Sequence, residues 1–405
     1  MKKDDLGELR EYILNEEKSW PFVQELRKTV ENAPIANLMN EVNVDSREKA
    51  MTRANEIAQN ILSSLKEMDV NFQEVEPGHG IGHLTRDYLH ALRLGNGLDV
   101  DPKHLFIGIL GGIFHDILGC IMVKRYDENE RVVRHAEGGG IFFYRLGEKV
   151  GLSEAEKMLG FYAIAAHTHY LKPIPVKYKD GTIRESTPYV DLDEFGKPLM
   201  CVWLTRWTDR LDVNGPCFVG RHFLTLAESH KDFSGGSFYS VTFESHMNPF
   251  LRNEDEIKQS GKRTMREHIT MFANSQNNQT PYGKHDFGTM VEIRDSYTAR
   301  IRRIIATFDE ADTFSLNEKL AVLKNWNRWL TERIEPTEKG RETVGKLDAM
   351  FANLNQDFRD RWYNVFSTTR TEHMGWSNDM RSALKDFSET YFTLPVLGDV
   401  RKILF

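Results

Sequence analysis

Residues 104–119 read HLFIGILGGIFHDILG. The run is apolar nearly all round, which is the pattern of a helix buried in a domain core rather than one with a solvated face. Near its end stand His115 and Asp116, side by side. An ionisable pair in so apolar a helix is costly to bury unless something compensates, and a bound dication is the obvious compensation. If both residues are helical they point about 100° apart, so they share one metal only if it sits at the seam between them.

Upstream, PGHGIGH (77–83) reads as a loop ending where a helix begins, with Leu84, Tyr88, Leu89, Leu92 and Leu94 on its apolar face and a close at about Gly95. Further upstream, residues 1–75 are charged and helical, with Ile57, Ile61, Leu62 and Leu65 recurring at helical spacing. Downstream, helices are expected at about 135–149, 153–169 and 198–213, the last with Met200, Trp203, Trp207 and Leu211 on one stripe. Between the last two lies YLKPIPVKYKDGTIRESTPYVDLDEFGKP. Its prolines, the Asp180-Gly181 pair and its Val, Tyr and Ile content predict an inserted β-hairpin or flap.

The expected fold is therefore mainly α, a helical bundle carrying that insertion. Its expected parts are an N-terminal helical region (1–75), a catalytic domain (76–228), an irregular connecting region (229–290) and a helical C-terminal domain (291–405). Composition turns toward Ser, Asn, Gly and Gln in the connecting region, where SQNNQTPYG is a clear loop. Trp326, Trp329, Trp362 and Trp376 are expected packing anchors in the C-terminal part, whose helices are also the expected surface for any homo-oligomer.

With 405 residues, 40% apolar and 28% charged, the chain has the balance of a globular protein with a substantial core. A formal charge of −7 argues against a duplex DNA binder. Cys120, Cys201 and Cys217 form no CxxC pair, which argues against a disulfide framework and a thiolate zinc site. The N-terminus MKKDDLGELREYI lacks the apolar core of a signal peptide, and Leu105 to Gly119 is short for a bilayer span. A cytoplasmic location with no membrane partner is expected.

His83, His115, His135 and His167 lie on four successive predicted helices in similar apolar contexts, and Asp116 and Asp209 complete the set. Four imidazoles and two carboxylates fill the needs of a two-metal site with Asp116 as the bridge. Such donors suit Mn, Fe, Co, Ni or Zn better than Mg.

The order H…HD…H…H…D resembles the signature of the HD superfamily of metal-dependent phosphohydrolases. GHLTRDYLHALRL (82–94) looks like that family's first helix, GILGGIFHDILG (108–119) its second, RHAEGGGIFF (134–143) and AIAAHTH (163–169) the added histidine helices of its two-metal members, and LTRWTDRLD (204–212) its last. The likeness covers about 77–213. It implies a first metal held by His83, His115, Asp116 and Asp209, and a second held by His135 and His167 with Asp116 shared. His169 competes with His167 for its place. The residues after Asp116 do not follow the cyclic-dinucleotide subgroup, where Gly and Lys come at once and a GYP motif follows; Lys124 is a distant substitute.

The resemblance implies hydrolysis of a phosphoester or phosphoanhydride in a nucleotide-like small molecule, with Asp116 and Asp209 as the catalytic carboxylates. His79, Arg86, His169, Arg206 and Arg210 are the candidate phosphate contacts; for each arginine, a salt bridge to a neighbour, for example Asp87 or Asp212, is an equal alternative. The basic run at Arg300, Arg302 and Arg303 reads as a solvated helix face. Two other activities fit the same ligands: a mixed-valent di-iron oxygenase and a nuclease acting on single-stranded nucleic acid.

Overall fold

The computed structural model describes residues 3–72, 75, 80–121, 128–169, 175–177, 182–185, 188–214 and 338–353. Within them the chain is mainly helical. Helices α1 (Lys3–Leu14), α2 (Glu16–Asn32), α3 (Ile35–Asn40) and α4 (Arg47–Glu67) precede the candidate site. It is built from α5 (Ile81–Gly97), α6 (Pro102–Phe114), α7 (Ile117–Ile121), α8 (Glu128–Gly147), α9 (Glu154–His169) and α10 (Met200–Asn214). One more described helix, α11, runs Glu338–Asn353.

The organising element is α6. Asp101 caps its start by accepting a hydrogen bond from the Lys103 amide, and Pro102 occupies the first turn, where no amide partner is needed. Every residue from His104 to Phe114 is buried, because α4, α5, α9 and α10 pack around it. α4 supplies an apolar face of Ala50, Ala54, Ile57, Ala58, Ile61, Leu62 and Leu65, and its own N-cap is Ser46. The N-terminal helices and the histidine-bearing helices share one hydrophobic core, in which Trp203 and Trp207 of α10 are fully buried.

Two glycines explain the close approach around α6. A Cβ on Gly111 would collide with the Thr205 side chain of α10, and one on Gly112 would lie 3.3 Å from the backbone oxygen of Asp87 on α5. Small residues there let both ligand-bearing helices come in close just ahead of His115.

The structure corrects the sequence reading at the end of this element. The helix expected to run through His115 and Asp116 stops at Phe114, the pair forms a turn, and α7 starts at Ile117. His115 keeps its amide bond to the Gly111 carbonyl, whereas the Asp116 carbonyl accepts from Gly119. A second correction concerns length: Pro102–Ile121, 20 residues, is long and apolar enough to cross a bilayer, and 94% of its most apolar window is buried inside the fold.

The expected insertion is two small antiparallel ribbons. β1 (Pro175–Lys177) pairs with β2 (Ile183–Glu185), and β3 (Asp193–Glu194) with β4 (Lys197–Pro198) across a turn with Phe195 at φ 53° and Gly196 at φ 75°. The segment leading to β3 is tied down: Arg27 of α2 donates to the Pro188 carbonyl at 2.5 Å and covers the Tyr189 ring, and Tyr162 of α9 donates to the Val190 carbonyl at 3.1 Å. Glu194 then meets His104 of α6 at 2.8 Å. The anchors expected at Trp326, Trp329, Trp362 and Trp376, the basic run at Arg300, Arg302 and Arg303, the connecting region 229–290, Lys124 and Cys217 lie outside the described residues.

Candidate metal centre

His83 comes from the first turn of α5, His115 from the turn after α6, His135 from α8, His167 from α9 and Asp209 from α10. All four imidazoles aim their ε nitrogens inward. His83 Nε2 and His115 Nε2 are 3.2 Å apart, and His135 Nε2 and His167 Nε2 are 3.3 Å apart. The rings meet edge to face, with centroids 5.0 Å apart for His83–His115, 4.9 Å for His115–His167 and 5.2 Å for His135–His167.

The outer nitrogens settle the tautomers. His115 Nδ1 lies 2.9 Å from the Gly112 carbonyl and His167 Nδ1 2.6 Å from the Ile164 carbonyl. A carbonyl only accepts, so each Nδ1 carries the proton and each Nε2 presents a bare lone pair. His83 Nδ1 lies 2.8 Å from Asp212 Oδ2, the carboxylate–histidine arrangement that fixes metal-ligating imidazoles. Two lone pairs facing each other repel unless a cation lies between them. Neighbouring ligands at about 2.1 Å from a metal are about 3.0–3.4 Å apart for angles of 90–109°, and both histidine pairs fall in that range. The donor set fits metal.

Asp116 stands between the pairs. Its Oδ2 lies 3.4 Å from His83 Nε2 and 3.6 Å from His115 Nε2, while its Oδ1 lies 3.5 Å from His135 Nε2 and 3.9 Å from His167 Nε2. Taking a carboxylate out of water costs several kcal/mol, and Asp116 is buried with four imidazoles around it. Donor atoms of His115, Asp116 and His167 lie within 4.8 Å of one another, as do those of His83, Asp87, His115 and Asp209.

The electrostatics keep these groups in the form a metal needs. Burial, reinforced by the neighbouring histidines, holds His167 well below the usual imidazole range. Burial also lowers His115, against the pull of Asp116. Both are therefore neutral at pH 7. Burial would raise Asp209, but the Arg210 guanidinium and the surrounding histidines outweigh it and bring its carboxyl to about 2. Cys120 and Cys201 are buried, and burial pushes the Cys201 thiol up to about 12, so it is no thiolate ligand.

The structure thus brings together all six expected ligands: His83, His115, Asp116, His135, His167 and Asp209. The phosphate candidates divide. Arg86 is turned inward and grips Asp212 with two bonds, Nε to Oδ1 at 2.7 Å and Nη2 to Oδ2 at 3.1 Å, so for this arginine a salt bridge is what the structure shows. Arg206 is buried and donates from Nη1 to the His167 carbonyl at 2.6 Å, fixing the end of α9. Arg210 stands beside Asp209, Nε to Oδ2 at 3.9 Å, with its side chain partly exposed. His79 and the His169 side chain lie outside the described residues.

Sequence reasoning missed Asp87 as a member of the cluster and Asp212 as the support of His83. Both had a signal: Asp87 is one helical turn after His83 and Asp212 three residues after Asp209, spacings that share a helix face. Compared with known proteins, the chain matches no family model, no curated protein and no solved structure.

Proposed function

We propose that the chain is an HD-type metal-dependent phosphohydrolase that cleaves a phosphoester or phosphoanhydride in a nucleotide-like small molecule. The placing of Asp116 carries the reading: one carboxylate oxygen faces each pair of imidazole nitrogens, so a single side chain serves two cation positions. Two bound dications would supply Lewis-acid charge to a phosphoryl oxygen and acidify a water.

The chain's own residues would do the rest. His83, His115 and Asp209 would hold one cation and His135 and His167 the other, with Asp116 supplying an oxygen to each. With its carboxyl at about 2, Asp209 is a poor proton acceptor at neutral pH; its part is to keep a fixed negative charge and accept a hydrogen bond that orients the attacking water. Arg210 is the arginine best placed to grip non-bridging phosphate oxygens, since Arg86 and Arg206 serve internal partners.

The test begins with metal analysis of the purified chain, followed by a screen of nucleotides and cyclic dinucleotides for phosphate or monoester release under anaerobic conditions. Two equivalents of metal and a hydrolysed nucleotide are expected. Asp116→Ala should lose both metals and lower turnover at least about 1000-fold, some 4 kcal/mol in barrier. Equal rates for wild type and Asp116→Ala would sink the reading. Oxygen consumption without phosphate release would point to a di-iron oxygenase, and cleavage of a labelled single-stranded oligonucleotide to a nuclease.

A further inference from the structure

Of the carboxylates facing the first histidine pair, one has no place in the ligand set implied by the HD resemblance. Asp87 is fully buried on α5, one turn beyond His83. Its Oδ2 lies 3.3 Å from His83 Nε2 and 3.4 Å from His115 Nε2. That is as near as Asp116, at 3.4 and 3.6 Å, and nearer than Asp209, at 3.8 Å from His83 Nε2. The backbone explains how it gets there: Gly112 lets the α5 backbone at Asp87 approach α6 a single turn before His115.

We propose that Asp87 is a third carboxylate ligand of the metal held by His83 and His115, and that it makes this the tighter of two unequal metal positions. The inference rests on the two-metal reading above. The first position would then draw on two imidazoles and on Asp87, Asp209 and one oxygen of Asp116; donor atoms of His83, Asp87, His115 and Asp209 already converge within 4.8 Å. The second draws on His135, His167 and the other Asp116 oxygen. Anionic ligands raise affinity for a dication directly, so the position with more of them fills first. Exposure acts in the same direction: the His83 and His115 side chains are 0% exposed, whereas that of His135 is 22% exposed. The second metal should therefore be the exchangeable one, with coordination positions left open for water and substrate.

The full chain, stripped of metal, is titrated with Co²⁺ alone against a competing chelator while the visible spectrum is followed. Wild type is expected to bind two equivalents in separate steps. Removing an outer partner of a metal ligand costs about 10–100-fold in affinity, so a lost ligand should exceed that: Asp87→Asn is expected to weaken the first step more than about 100-fold, alter its spectrum and leave the second step nearly unchanged. First-step affinity and spectrum equal to wild type in Asp87→Asn overturn the proposal, as do two steps of equal affinity in wild type. If Asp87→Asn does not fold, Asp87→Glu decides. It retains the charge but moves the donor oxygen by a methylene, so a ligand role requires a shifted first-step spectrum, and an unshifted one overturns it. Failure of wild type to bind two equivalents strikes at the two-metal reading instead, which separates the two failures.

Discussion

The two histidine pairs look alike at their ε nitrogens and differ in what stands behind them. His83 is backed by a side chain: Asp212 accepts from its Nδ1, and Arg86 in turn holds Asp212 with two bonds, all three groups being buried. His167 is backed by its own helix, through the Ile164 carbonyl three residues earlier, and Arg206 braces the same turn. The first pair thus combines a charged support spanning 129 residues of sequence behind His83 with a local carbonyl behind His115, whereas His167 in the second is held by its own helix. A side-chain support can be removed by one substitution, whereas a backbone carbonyl cannot, so His83 and His167 should fail in different ways.

The largest contrast should come from the histidines themselves. His83→Ala is expected to abolish the tighter metal and with it turnover, at least about 1000-fold; His135→Ala should keep one equivalent of metal while also losing activity. Elemental analysis of both variants breaks the comparison if each retains the same stoichiometry.

Next in size is Asp212→Ala, which leaves the Arg86 guanidinium buried without its carboxylate. Breaking a buried ion pair from one side costs about 3–5 kcal/mol, and loss of the partner behind His83 should weaken metal binding about 10–100-fold. Chemical denaturation of metal-free protein and a metal titration measure the two effects separately. Wild-type values in both would show that Asp212 supports nothing.

Acidity offers a gentler probe. His115 and His167 have folded values below their unfolded ones, so above about pH 6.5 both states are neutral and stability is fully present. As pH falls below that, the unfolded chain takes up protons that the folded chain refuses. Stability of the metal-free protein is then lost at up to about 1.4 kcal/mol per pH unit for each such histidine. Asp209, lowered to about 2 from 3.8, contributes stability that disappears only below about pH 4, outside the window. Urea midpoints at pH 7.5, 6.5 and 5.5 should decline; a flat series would mean that these imidazoles do not stay neutral. The smallest effect is expected from His169→Ala, which should keep most turnover because His167 Nε2 already faces His135 Nε2 in the cluster. A loss comparable to that of His83→Ala would place His169 in the centre after all.

Much of this was legible in the sequence. The apolar run around residues 104–119 and the helical spacing on either side have counterparts in the structure, and the six residues expected as ligands lie together in it. Local chemistry does not show what arrives from far along the chain. Asp87 looks like one more charged residue on an amphipathic helix until α6 and its glycines press against it. Asp212 reads as one salt-bridge partner for a neighbouring arginine until Arg86 and His83 reach it from α5. The helix break at His115 was hidden for a different reason: His-Asp carries no Gly or Pro to announce a turn, and it is tertiary packing that ends α6 there.

The burial of Pro102–Ile121 has a consequence for how the protein is made. As the chain emerges from its N-terminus, this run comes out before α8, α9 and α10, and among the described elements α10 covers α6 most extensively. Until Asn214 has been synthesised, a run apolar enough for a bilayer lacks the described helix that covers it most. Nascent chains halted before that point should be sticky and in need of a chaperone, and release from that state should coincide with the arrival of Asp209 and Asp212. Among the described helices, the last to cover the apolar run is also the one that completes the polar centre.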